Sequence, residues 1–123
     1  MKNNQLQALT KKWQKILRLQ DWTISVFFAC TTKSSSGEWD LGNCECSPYR
    51  KTADINILAP KLWKDNSRTP GYRGLNKEIE LTLIHEMIHC HFQFLKMPKE
   101  RSQDELILEN GVESLAVAFL ENF

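Results

Sequence analysis

The spacing of the apolar residues changes twice along this chain, and that change limits the fold more than any other feature. From Asn4 to Leu19, Leu6, Leu9, Trp13, Ile16 and Leu17 recur at three- and four-residue steps, with Lys11, Lys12, Lys15 and Arg18 around them. This is the pattern of a helix with one apolar face. From Trp22 to Phe28 the period becomes two, and the β-branched and aromatic content suits a strand. Thr31 to Gly37 reads as a polar loop and Trp39 to Cys46 as a weaker strand, ended by Ser47-Pro48. Thr52 to Leu58 alternates cleanly, with Ala53, Ile55 and Ile57 on one face. Pro60 closes that strand, and Asp65 to Gly74 reads as a long loop. Helical spacing returns after Asn76, a suitable N-cap, and runs through Ile79, Leu83, Phe92 and Leu95 until Pro98. A last helix starts near Ser102 or Asp104 and continues to the C-terminus. The order is one helix, about three strands in a mixed sheet, then two helices: a single α+β domain over residues 1–123.

Composition enters as a set of exclusions. The 123 residues are 41% hydrophobic and 25% charged, which suits a folded core and not a disordered chain. A formal net charge of +1 gives no general reason to expect a nucleic-acid or membrane-surface protein. The longest apolar stretch, near Ile24 to Cys30, is far shorter than a membrane span. The N-terminus carries no compact apolar segment of the signal-peptide kind, so a cytoplasmic location is expected. In that compartment Cys30, Cys44, Cys46 and Cys90 are expected as free, buried and inert thiols. Cys44 and Cys46 would share one strand face, beside Cys30, and their one-residue spacer is too short for a usual zinc knuckle.

Residues 85 to 89 read His-Glu-Met-Ile-His. On a helix the two histidines lie on one face, so both imidazoles can reach a single ion. Glu86 is about 100° round the helix, close enough to address a water on that ion without ligating it. A catalytic zinc needs a third protein ligand and an open position. His91 is about 200° from His89 on the helix and cannot join them. Phe92 and Leu95 stand where a metzincin needs Gly and His. The third ligand is therefore expected to be a carboxylate, from Glu100, Asp104, Glu105, Glu109, Glu113 or Glu121. Glu109 leads because it lies within the apolar stripe of Leu108, Val112, Leu115, Ala116 and Phe119, where an unpaired charge is costly. Glu113 and Glu105 stand behind it.

These residues give the chain a resemblance to the gluzincins, the thermolysin-like zinc peptidases, which carry HExxH on one helix and a glutamate ligand on the next. Glu109 follows His89 by twenty residues, the spacing of that group. In length and element order the chain looks most like the minigluzincins and the small zinc peptidases of phages and prophages. The close motif spans Thr82 to Leu120. The resemblance implies a zincin-like fold, Zn²⁺ held by His85, His89 and Glu109, and Glu113 orienting a ligand imidazole. It also implies a peptide or protein substrate, hydrolysed by a metal-activated water with Glu86 as base and then acid. The strand Thr52 to Leu58 resembles the edge strand along which zincins align a peptide. No Tyr or His follows Glu109, so an oxyanion-stabilising group would come from Tyr72 or Arg73. In minigluzincins the C-terminal segment can cover the site, a role open to Phe123, although the leading expectation is that Phe123 packs with Phe119 on the first helix.

Two other readings use the same residues. One is a zinc-binding scaffold with little or no catalysis, for which Glu86 would have no use. The other is a nucleic-acid-associated protease. Lys2, Lys11, Lys12, Lys15 and Arg18 fall in an N-terminal stretch without acids, and Asp104, Glu105, Glu109, Glu113 and Glu121 in a C-terminal stretch without bases.

Overall fold

Thr52–Leu58 is the strand on which the rest of the molecule is assembled. In the computed structural model, which describes residues 1–30, 41–63, 73–93, 99 and 102–123, it is β3, the centre of a three-stranded mixed sheet. β1 (Thr23–Ala29) pairs with it in parallel and β2 (Gly42–Ser47) antiparallel, so Val26 and Cys44 both stand opposite Ile55. Ala53, Ile55, Ile57 and Leu58 are buried, as the alternation of the first three predicts. Both backbone edges of β3 are engaged, which corrects its expected role as a peptide-aligning edge. Among the described residues the unpaired edges belong to β1 and β2.

The helices are α1 (Asn3–Ile16), α2 (Leu75–Phe92) and α3 (Gln103–Asn122). α2 packs on β2 and β3, α1 on β1 and α2, and α3 on α2. α2 is thus covered on several sides, and every residue from Leu83 to Cys90 except His85 is buried. A helix apolar all round is buried all round. Among the described residues the architecture is α+β, with three α-helices, a short 3-10 turn (Pro60–Leu62) and a mixed sheet. No helix among the described residues is long and apolar enough to cross a membrane.

Two helix ends differ from their sequence expectation. α2 starts at Leu75, before Asn76, because Gly74 caps it at φ 85°, ψ 161°, a conformation open to glycine. α1 stops at Ile16 because Arg18 turns left-handed at φ 58°. The Leu19 N–H then donates to Gln14 O at 2.8 Å and the Arg18 N–H to Lys15 O at 3.2 Å, the two bonds of a Schellman motif. Leu17 and Leu19 are thereby folded into the core. At α3 the expectation holds: Ser102 is the N-cap, its Oγ accepting from the Glu105 N–H at 3.1 Å. The expected loops at 31–37 and 65–72, the start of the second strand at 39–40, and the helical turn towards Pro98 lie outside the described residues.

One carboxylate ties α1 to α2. Buried Glu80 accepts from Trp13 Nε1 at 2.7 Å and from Lys77 Nζ at 3.1 Å, with Lys12 Nζ at 3.5 Å. Burial pushes its carboxyl upward, but the Trp13 and Lys77 hydrogen bonds and the two lysine charges leave it below its ordinary value.

Candidate metal centre

α2 delivers His85 and His89 one turn apart, with ring centroids 5.0 Å from each other. α3 runs antiparallel beside it, and this brings Glu109 to the pair. His85 Nε2 lies 2.9 Å from Glu109 Oε2, His89 Nε2 lies 3.1 Å from Glu109 Oε1, and the two Nε2 atoms are 3.2 Å apart. The three expected ligands therefore converge on one point, within the 4.8 Å that a shared metal ion allows. Tetrahedral zinc with bonds of about 2.0–2.1 Å sets neighbouring nitrogen and oxygen ligands about 3.3 Å apart, so the donor set fits that ion.

Opposite charges draw the cluster together. Burial alone would push the His85 imidazole down. Hydrogen bonds with Glu109 and Glu113 and the charges of Glu86 and Glu113 raise it instead to about 10. Glu109 is pulled down to about 2 by its hydrogen bonds with His85 and His89, against burial. Glu113 Oε2 lies 3.5 Å from His85 Nδ1, on the ring side turned away from Glu109. Glu86, 8% exposed, sits beside these groups on α2 and faces the start of β2. A Cβ on Gly42 would stand 3.4 Å from Glu86 Cγ and 2.8 Å from Thr82 Cγ2, so only glycine lets β2 approach α2 this closely.

The remaining sequence candidates are elsewhere. Glu121 pairs with Arg73 at 3.1 Å, and Arg73 also faces Glu78 at 3.6 Å. Arg73 therefore sits just before the start of α2, whose Leu75 is roughly 15 Å of helix from His85, which corrects its assignment to an oxyanion. Asp104 and Glu105 occupy the first turn of α3. His91 turns away, its Nε2 donating to Leu17 O at 2.7 Å. Tyr72 and Glu100 lie outside the described residues. Phe123 is 66% exposed, its ring 5.5 Å from Phe119, at the end of a helix that runs on to Asn122. About 21 Å of helix separate it from Glu109, so it neither covers the cluster nor fills a pocket in the core.

The cysteines need a larger correction. No disulfide links them, but only Cys90 is buried; Cys44 and Cys46 are half-buried and Cys30 is exposed. Cys44 and Cys46 share a face of β2, as alternation predicts, but their neighbour is Cys90 of α2 and not Cys30. Hydrogen bonds from Cys44 and Cys90, helped by the charge of His89, hold Cys46 down at about 4, while Cys44 is pushed up by its bonds to the other two sulfurs. Nothing in the spacing of Cys90 announces this grouping, because it depends on where β2 lands on α2. No family model, curated protein or solved structure matches the chain.

Proposed function

We propose that this protein is a zinc-dependent peptidase of gluzincin type, with His85, His89 and Glu109 as the metal ligands and Glu86 as the proton-transfer group. The observation that carries the reading is the convergence of two imidazoles and one carboxylate, 2.9–3.2 Å apart, with a buried glutamate one residue from the first histidine. A structural zinc site closed by four ligands has no need of Glu86; a three-ligand site keeps a position open. Zinc bound there would supply an activated water and polarise a substrate carbonyl. Glu86 takes a proton from the attacking water and returns it to the leaving amine. Glu113 accepts from His85 Nδ1, which leaves the Nε2 lone pair directed at the ligand cluster. β2, whose outer edge is unpaired among the described residues and whose Gly42 lies beside Glu86, replaces β3 as the strand along which an extended peptide can be aligned.

The reading is tested with zinc-loaded protein and an unfolded protein substrate. Wild type should cleave it, and Glu86→Gln should keep its zinc and fold while losing cleavage by a factor of about 100 or more. Full zinc occupancy with no cleavage by wild type would favour a zinc-binding scaffold.

A further inference from the structure

A second group of metal-ligating side chains lies beside the first. Cys44 and Cys46 project from one face of β2 towards Cys90 on α2, the residue after His89. Their sulfurs are 3.0 Å (Cys44–Cys46), 3.5 Å (Cys46–Cys90) and 3.9 Å (Cys44–Cys90) apart. Thiolates on one tetrahedral zinc, at Zn–S of about 2.3 Å, stand about 3.8 Å from one another. Two of the three separations are close to that value, and side-chain rotation opens the third. A disulfide fits less well. Alternate residues of one strand have Cα atoms about 6.7 Å apart, at the far limit of what a disulfide spans. Three sulfurs meeting at one point also leave one thiol over in any pairing.

We propose that Cys44, Cys46 and Cys90 form a second metal site, which takes one Zn²⁺ ion and ties β2 to the last turns of α2. Each thiol gives up its proton as the ion binds, and a water completes the coordination. The ion would fix the far half of β2, whose near end comes so close to α2 at Gly42 that an added Cβ would stand 3.4 Å from Glu86 Cγ. His89 and Cys90 thus serve two ions from adjacent positions on one helix. The proposal stands whether or not the histidine cluster is catalytic.

The test uses a His85→Ala/Glu109→Ala double variant, in which the first cluster is disabled, with Zn²⁺ alone under reducing conditions. One zinc should remain bound per chain, against two in wild type, and Cys46→Ser in the same background should lose it. Cobalt in place of zinc should show thiolate-to-metal charge transfer. Zinc should also shield Cys44, Cys46 and Cys90 from alkylation while exposed Cys30 reacts at its metal-free rate. That comparison can be made on wild type, so it decides the matter even if a variant does not fold. Cysteines that alkylate equally fast with and without zinc would overturn the proposal, as would a double variant that folds and binds none.

Discussion

Glu80 shows how a single residue can be costly and still hold the molecule together. It places a carboxylate among buried apolar side chains, where only its bonds to Trp13, Lys77 and Lys12 keep it ionised. Because its folded value lies below the ordinary glutamate value of about 4.3, it stabilises the protein above that pH, and the contribution is lost as pH falls through the lower, folded value. Glu80→Gln should therefore cost about 1–2 kcal/mol at pH 7 in denaturant unfolding. The gap to wild type should close on acidification below about pH 4; a gap that stays constant would contradict the assignment. Nothing in the sequence announces this role for Glu80, since its partners on α1 lie 67 and 68 residues away. His85, Glu86 and His89 were legible because their geometry is local to one helix turn. Glu109 was legible for a different reason: a charge in an apolar stripe calls for a partner.

At the scale of elements, two glycines should answer the same substitution with opposite sign. Gly42 opens β2, and a Cβ there would meet Thr82 Cγ2 at 2.8 Å and the backbone oxygen of Asn56 at 3.2 Å. Gly42→Ala should cost about 1–3 kcal/mol, as overpacking does. Gly111 lies within α3 with nothing inside 4 Å of its Cβ position. Gly111→Ala should gain about 1 kcal/mol from helix propensity alone. Thermal melts of the two variants against wild type check both signs, and equal shifts in one direction would refute the packing of β2 on α2. The elements themselves were largely readable from period: β3 matches its sequence expectation residue for residue, while α1 and the start of α2 miss by one to three. Those misses come from left-handed residues. Arg18 carries no glycine to signal its turn, and Gly74 competes with Asn76, a better-looking cap. The place of β3 at the sheet centre was not readable either, because a clean alternation describes faces and says nothing of edges.

For the whole molecule, the His85–His89–Glu109 cluster joins α2 to α3, which buries Val112 and Ala116 but presents Leu106, Ile107 and Leu115 to solvent. Zinc should therefore act as a clamp on the last helix. At a hundredfold excess over its dissociation constant, zinc bound only to the folded chain contributes about 2.7 kcal/mol. Melting temperature should fall when a chelator is added, and Glu109→Ala should remove the share of that fall that comes from the histidine cluster, leaving only the share that comes from the cysteines. The long-range geometry behind this is what the sequence could not supply: it offered His85, His89 and Glu109 as candidates one by one, but the distances among them depend on the antiparallel seating of α3 on α2. The most direct measurement is anomalous scattering at the zinc absorption edge from crystals of zinc-loaded protein. A peak bounded by His85 Nε2, His89 Nε2 and the Glu109 carboxylate is the expected result. A fully zinc-loaded crystal with no peak at that point, or one in which Glu109 is replaced by another carboxylate, would contradict it.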